Sequence, residues 1–238
     1  SVNSNMHYIL NSKPKNPVIV EGFPGFGLVG TIATEYLMKH LDAKPIGCIR
    51  MEETPPVIAV HDSTAIEPMG IFYSKKKNMV ILHALANVQG YEWKIAEILA
   101  NIAKELKAKE VISLEGVGTQ GNVKSKNAKA YYISENKKFK SKCGEPLEEG
   151  IIVGVTGALL LRKDIKCTGI FAETHSALPD SRAAAKILCV LDEYLKLGLD
   201  YTPLLKKAEG LESNLKGMVG KTQDAVTLAD KKRQSYFG

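Results

Sequence analysis

The chain has 238 residues, of which 45% are hydrophobic, and a formal net charge of +6; it can bury one sizeable α/β core plus an appendage, which excludes a largely disordered protein. No run of about 18 apolar residues occurs and the N-terminus lacks the apolar core of a secretory signal, so we expect a cytoplasmic protein without a membrane span. Lysine supplies most of the positive charge and only four arginines occur, so we expect no nucleic-acid partner, because base readout and phosphate clamps favour arginine.

The first predicted element is a β-α unit in residues 17–41. The β-branched run Val18–Val20 predicts a short buried strand, since Pro17 precedes it and Gly22 follows it. A helix comes next, because the following apolar residues recur at spacings of three and four, which places them on one face. They are Leu28, Val29, Ile32, Tyr36, Leu37 and Leu41.

The loop between this strand and helix contains four glycines, Gly22, Gly25, Gly27 and Gly30. The last three match the G-x-G-x-x-G dinucleotide fingerprint, in which glycines let a phosphate approach the backbone. Pro24, however, removes one backbone N–H from such a cradle. We therefore interpret the four positions as a structural glycine loop that allows close backbone packing, and we expect no cofactor.

The middle of the chain is predicted to be strand-rich before its next helix. Residues 44–50 and 57–60 are interpreted as strands, and residues 70–83 as a hairpin. Because no helix separates these strands, the sheet should be mixed rather than purely parallel. A helix over residues 89–106 then leads into a buried strand at residues 111–114.

The predicted core continues beyond a lysine-rich stretch at residues 124–142, which we interpret as a solvated loop or hairpin. An apolar run at residues 150–155 and a strand at residues 168–172 follow. Asp180 or Ser181 is the expected N-cap of a long helix with one apolar face.

Residue types that perform catalysis or bind metals show no recognisable arrangement. The cysteines Cys48, Cys143, Cys167 and Cys189 form no C-x-x-C pair, and the five histidines form no metal-binding cluster. We expect reduced core cysteines, no metal site and no catalytic residue. Trp93, the single tryptophan, is expected to be a core or interface anchor.

A C-terminal amphipathic helix is predicted from Pro203, because apolar or small residues recur there at alternating spacings of four and three. These residues are Leu204, Ala208, Leu211, Leu215, Met218, Thr222, Ala225 and Ala229. The core does not need this helix, so we expect it to pack along itself, another subunit or a client. Gly217 and Gly220 each cost about 1 kcal/mol of helix stability, so a break is expected there.

The chain is therefore predicted to have three parts. Residues 1–16 form an N-terminal segment, residues 17–202 an α/β core domain, and residues 203–238 a C-terminal helical extension and tail. The core should be a mixed sheet sandwiched by helices.

Several short motifs occur in a fixed order between residue 17 and about residue 216. They are Val20–Gly30, Thr54–Pro56, Ser113–Gly116, Gly154–Leu160, Ala172–His175, Pro179–Asp180 and Ala183–Ala184. Together they resemble the proteasome assembly chaperone family, specifically its archaeal homologues. The resemblance implies a fold similar to that of purine nucleoside phosphorylase, assembly into homo-oligomers, and binding of proteasome subunits or other clients rather than catalysis.

The resemblance also implies partner-binding residues near the C-terminus. Proteasome-docking members of this group resemble activators, which end in a hydrophobic residue, a tyrosine and one further residue that enter pockets of the proteasome α-ring. This chain ends in Tyr-Phe-Gly, so Phe237 stands in the tyrosine place without a phenolic hydroxyl. The residues expected to bind proteasome α-subunits or related clients are Leu211, Leu215, Met218, Tyr236 and Phe237.

An enzyme is the alternative hypothesis. A nucleoside phosphorylase-like enzyme would use the Gly25–Gly27 loop as a phosphate site, with Glu173 or Asp180 holding the base. Such sites favour arginine for phosphate, and Arg50 would have to reach the loop from the next strand. We therefore prefer a non-enzymatic, oligomeric chaperone or scaffold.

Overall fold

A computed structural model describes residues 7–53, 56, 58–118, 129–174, 178–206, 217, 219 and 220. The strands in these ranges are β1 (Tyr8–Leu10), β2 (Val18–Gly22), β3 (Lys44–Ile49), β4 (Ala59–His61), β5 (Thr64–Ile66), β6 (Met69–Ser74), β7 (Met79–Ala84), β8 (Glu110–Gly118), β9 (Ala130–Ser134), β10 (Glu145–Pro146) and β11 (Cys167–Thr174). The α-helices are α1 (Val29–His40), α2 (Glu92–Leu106), α3 (Gly154–Leu160), α4 (Ser181–Leu195) and α5 (Thr202–Lys206), and a 3₁₀ turn (Phe26–Leu28) precedes α1. In the part of the chain so described, no helix has the length and apolar character needed to cross a membrane.

Nine of these strands form one mixed sheet in the order β1-β3-β6-β7-β2-β8-β11-β9-β10. Its centre is parallel, since β2 pairs in parallel with β7 and β8, and β8 pairs in parallel with β11. Antiparallel pairs flank this centre, with β1, β3, β6 and β7 on one side and β11 with β9 on the other. The prediction of a mixed sheet is confirmed.

Helices cover both faces of this sheet. The helices α1 and α4 pack on the face where Val20 and Ile112 are buried, and α2 and α3 pack on the face where Ile19 and Val111 are buried. Successive residues of a strand point to opposite faces, so burial on both sides accounts for the nearly continuous apolar runs of β2 and β8. The predicted sandwich of a sheet between helices is confirmed.

The structure differs from the sequence prediction at several strands. The strand predicted at residues 57–60 is β4, which pairs with β5 in a separate hairpin and not with the main sheet. The strand β1 lies inside the N-terminal segment 1–16 and pairs with β3. The strand β9 lies inside the lysine-rich stretch 124–142, and it pairs with β11 because alternate residues of β9 are buried there.

The apolar run at residues 150–155 is not a buried strand. Ile151 and Val153 are exposed, and α3 begins at Gly154. Gly154 has a φ of +78°, a left-handed conformation that glycine adopts readily and that ends the extended run.

Cys143 and Cys189 form a disulfide, whereas the sequence led us to expect reduced cysteines. The Glu193 carboxylate on α4 accepts hydrogen bonds from the loop at residues 141–143. This contact holds the loop against the helix and places the two cysteine Cα atoms 5.9 Å apart, a separation that a disulfide spans. The other two cysteines are free and buried, as predicted.

The start of the C-terminal extension packs on the core. Leu204 of α5 and Val219 are both buried in the cluster on the α1 and α4 face of the sheet. Gly217 and Gly220, the positions where a break is predicted, both have helical backbone. Burying a valine side chain gains about 1.5–3 kcal/mol, which offsets a cost of about 1 kcal/mol for each glycine.

Candidate functional site

The glycine loop closes tightly on the ends of the parallel strands. An added Cβ at Gly22, the last residue of β2, would collide with the carbonyl group of Gly30. An added Cβ at Gly30 would collide with the carbonyl oxygen of Leu114 on β8, and one at Gly116 would collide with the carbonyl oxygen of Phe26. Glycine at these positions is therefore required by the packing of backbone on backbone.

Gly27 fixes the loop to the start of α4. Its φ of +63° lies in the left-handed region, and its carbonyl oxygen accepts a hydrogen bond from the Asp180 backbone N–H at 2.8 Å. The Asp180 carboxylate accepts hydrogen bonds from the Ala183 N–H at 3.0 Å and from the Thr174 hydroxyl at 2.8 Å. Asp180 thus caps α4, as predicted, and joins the glycine loop to the end of β11.

A cavity of about 790 Å³ opens beside the glycine loop, at the carboxyl ends of β8 and β11. Phe26 forms one wall, Tyr131 of β9 another, and the segment 145–153, which begins with β10, a third. This volume is typical of a ligand-binding pocket. Ligands of open α/β sheets also bind at this edge.

Large apolar side chains at the cavity are exposed to solvent. The exposed fraction is 93% for Ile151, 68% for Val153 and 60% for Phe26. Single exposed apolar residues are common on protein surfaces, but several around one cavity form a patch typical of a binding surface.

The cavity is also acidic. The carboxylates that line it belong to Glu115, Glu145, Glu148, Glu149 and Glu173. Glu173 accepts hydrogen bonds from the Tyr131 hydroxyl at 2.9 Å and from the Lys129 backbone N–H at 3.1 Å. Desolvation and the Glu173 carboxylate raise the pKa of Tyr131 to about 12. So many carboxylates around one space favour a cationic ligand over an anionic one.

A second, buried carboxyl group, that of Glu21, interacts with Glu115. Glu21 of β2 is buried, and desolvation, together with the charge of Glu115, raises the pKa of Glu21 to about 8. Desolvation also raises the pKa of Glu115, whose carboxylate accepts a hydrogen bond from the Thr156 hydroxyl at 2.7 Å. The Ser113 hydroxyl lies 2.6 Å from the Thr156 hydroxyl and is hydrogen-bonded to Glu21.

These hydrogen bonds connect Glu21 with Glu115 through two hydroxyl groups. The Ser113 hydrogen bond lowers the pKa of Glu21, but desolvation outweighs it, and Thr156 links Ser113 to Glu115. Glu21 Oε1 has no hydrogen-bond partner in the part of the chain that the structure describes. A polar chain therefore runs from the interior of the sheet to the cavity.

Comparison with known proteins identifies the family. The model of the PAC2 family matches residues 19–219. The chain belongs to the PAC2 family. This PAC2 protein is 32% identical to PbaA of Pyrococcus furiosus, an archaeal homolog of proteasome-assembly chaperone, with a TM-score of 0.77 over 92% of this chain and 98% of that chain. The predicted resemblance to archaeal proteasome assembly chaperone homologues is confirmed.

Two further relatives cover nearly the same length of this PAC2 protein. PbaB of Pyrococcus furiosus, an archaeal proteasome activator, shares its fold with a TM-score of 0.71 and 20% identity, over 88% of this chain and 97% of that chain. An uncharacterized protein of Methanocaldococcus jannaschii is 26% identical over 228 residues, which is 93% of this chain and 92% of the relative.

The predicted partner-binding residues of this PAC2 protein lie outside the residues that the structure describes. They are Leu211, Leu215, Met218, Tyr236 and Phe237. Of the residues in the enzymatic hypothesis, Glu173 lines the cavity and Asp180 caps α4. Trp93 is 68% exposed on α2 and not in the core. Within the described ranges, no group of three or more His, Cys, Asp or Glu side chains could hold a metal ion.

The cavity wall at residues 145–153 was missed by the sequence analysis. Its sequence places Glu148 and Glu149 directly before Gly150 and an apolar run. A short apolar run usually indicates a buried segment, but here Ile151 and Val153 are exposed. The missed signal was the charge next to that run, shortly before a helix.

Proposed function

We propose that this PAC2 protein is a non-enzymatic, homo-oligomeric chaperone or scaffold that binds proteasome α-subunits or related client proteins through its C-terminal helices. The observation that carries the proposal is the PAC2 match over residues 19–219, together with 32% identity to PbaA over 92% of the chain. A fold similar to that of purine nucleoside phosphorylase is part of this proposal.

The packing of the glycine loop supports a scaffold over a phosphorylase-like enzyme. Gly22 and Gly30 are in contact with backbone and Gly27 with the Thr174 and Asp180 side chains, so only Gly25 of the loop is open. Among the described residues that line the neighbouring cavity there are five glutamates and no arginine, which disfavours an anionic substrate. The enzymatic alternative is therefore not supported.

The C-terminal extension is anchored to the core, so a truncation that tests its role must keep the anchoring residues. Leu204 and Val219 are buried against the core, so a truncation before them would expose apolar surface and damage the fold. A chain that ends at Gly220 keeps both anchors and removes Tyr236 and Phe237.

The test is a pull-down with purified proteasome α-subunits and with assembled proteasome. It compares the full chain, the chain ending at Gly220, and a Tyr236→Ala, Phe237→Ala double variant, with native mass measured for each. We expect the full chain to form an oligomer and capture α-subunits, and both altered chains to lose most of the capture. Equal capture by all three, or none by any, would remove the proposed role of the tail.

A separate measurement addresses catalysis. Isothermal titration calorimetry with inorganic phosphate and with inosine should show no heat of binding, and no hypoxanthine should form. Saturable phosphate binding with nucleoside turnover would replace the scaffold proposal by the enzymatic one.

A further inference from the structure

We propose that the cavity between Phe26 and residues 145–153 is a docking site for a basic, apolar segment of a partner protein, in which lysine or arginine alternates with large apolar side chains. None of the described residues that line the cavity belongs to the C-terminal extension. The docking site does not depend on the proposed binding of proteasome subunits, so either proposal can fail without the other.

The size and lining of the cavity suit side chains rather than a single ion. A volume of about 790 Å³ is large enough for several side chains. Ile151, Val153 and Phe26 present apolar surface at the cavity, and a partner that covers them would remove that surface from water.

The charges of the cavity select a cationic partner. In the part of the chain that the structure describes, Glu148 and Glu149 form no ion pair, and Glu145 meets only the Lys129 ammonium, at 4.0 Å. The whole chain carries a net charge of +6, so this cavity has the opposite sign to the molecule. A lysine or arginine that enters it meets carboxylates whose charge is not yet compensated, whereas a phosphate or an acidic peptide is repelled.

The position at a sheet edge favours an extended peptide as the occupant. The strand β10 (Glu145–Pro146) is the last strand of the nine, and within the described residues it pairs only with β9. The segment after it, residues 147–153, has neither helical nor strand structure. An extended segment can lie along this edge with alternate side chains directed into the cavity, which is a common mode of peptide recognition.

The experiment measures fluorescence anisotropy of short labelled peptides with the full chain. The probe alternates leucine and lysine, and two controls replace either every lysine by glutamate or every leucine by serine. We expect saturable binding of the leucine and lysine probe, no binding of the glutamate control, and binding of the serine control about tenfold weaker. Binding should weaken as salt is raised, because the contact is partly electrostatic.

Substitutions in the chain test whether the probe binds at the cavity. The Glu148→Gln, Glu149→Gln variant should bind the probe about tenfold more weakly, and Ile151→Ser with Val153→Ser should weaken it similarly. The control is Glu52→Gln with Glu97→Gln, which makes the same change in net charge at exposed positions outside the cavity lining. It should bind like the unaltered chain.

Several outcomes would overturn the proposal. The first is that the leucine and lysine probe does not bind up to millimolar concentration. The second is that the Glu52→Gln, Glu97→Gln control loses as much probe affinity as the Glu148→Gln, Glu149→Gln variant. The third is that the serine control peptide binds as tightly as the probe. Displacement of the probe by spermine at the same concentration as by unlabelled probe would assign the cavity to small polyamines instead. A change in native mass on Glu148→Gln, Glu149→Gln, without a change in probe affinity, would assign it to a second copy of the chain.

Discussion

The glycine loop and the acidic cavity lie side by side at the same edge of the sheet, but they are built in opposite ways. In the loop, backbone meets backbone at Gly22, Gly30 and Gly116, and no side chain would fit at those positions. At the cavity, Ile151 and Val153 are exposed to solvent beside Glu148 and Glu149, which form no ion pair with any residue that the structure describes. The comparison teaches that the motif that resembles a ligand site is closed by packing at Gly27 and Gly30, while the open cavity lies in a stretch without a motif.

The largest expected effect comes from filling the closed loop. We expect Gly30→Ala to destabilise the fold by about 3–5 kcal/mol, because the added Cβ meets the rigid Leu114 carbonyl group. Gly25→Ala is the matched control, since nothing lies within 4 Å of a Cβ built there and its backbone is extended. It should change stability by less than about 0.5 kcal/mol. Urea unfolding followed by circular dichroism measures both, and equal effects would show that the loop is not closed by packing.

The next largest effect is expected for the buried carboxyl group of Glu21 on β2. Since the pKa of Glu21 is raised to about 8 when folded, from 4.5, the folded state holds a proton that the unfolded state loses. Stability should therefore fall as pH rises from about 4.5 to about 8 and then level off. Glu21→Gln keeps a neutral side chain and should be more stable than the unaltered chain at pH 9 by about 2–4 kcal/mol.

The pH range of this measurement matters because of a second buried group. Desolvation lowers the pKa of His83 from 6.5, so His83 costs stability only as pH falls below about 6.5. Between pH 7 and pH 9 the imidazole is neutral in both states. Burial also raises the pKa of Glu115, Cys48 and Cys167, so it is the difference in urea midpoint between the unaltered chain and Glu21→Gln that reports on Glu21. Parallel profiles for the unaltered chain and Glu21→Gln would mean that Glu21 is not neutral in the folded protein.

A smaller effect is expected where the loop meets α4. Asp180→Ala removes the helix cap and the partner of the Thr174 hydroxyl, and we expect a loss of about 1–2 kcal/mol in thermal or urea unfolding. Asp180→Asn retains an oxygen for the Ala183 N–H and should recover most of that loss. Failure of the asparagine variant to recover stability would assign the effect to charge instead of capping.

The smallest effect on stability is expected at the cavity. Ile151→Ser with Val153→Ser should leave the free energy of unfolding within about 0.5 kcal/mol, because both side chains are already exposed. As a buried comparison, Ile112→Val should cost about 0.5–1.5 kcal/mol. If the serine variant unfolds more easily than Ile112→Val, the cavity residues support the fold and the contrast between the regions is lost.

Much of the fold was predictable from local patterns. The strand at Val18–Val20, the helix after Gly27 and the hairpin at residues 70–83 are present, because short apolar runs and three-and-four spacings report directly on neighbours in the chain. The edge strand β1 and the disulfide between Cys143 and Cys189 were not predicted. Both depend on partners far away in sequence, which local periodicity does not reveal.

The sequence by itself determined an α/β protein with a mixed sheet buried on both faces, since composition and apolar spacing decide which residues must leave water. It also carried the motifs that resemble the proteasome assembly chaperone family. Only the tertiary structure decided that the glycine loop is closed at three of its four glycines and that residues 145–153 border an open acidic cavity. The physical reason is that both features arise where β2, β8 and β11 end and β9 begins, and the proximity of such strand ends is set by sheet order rather than by the residues next to them.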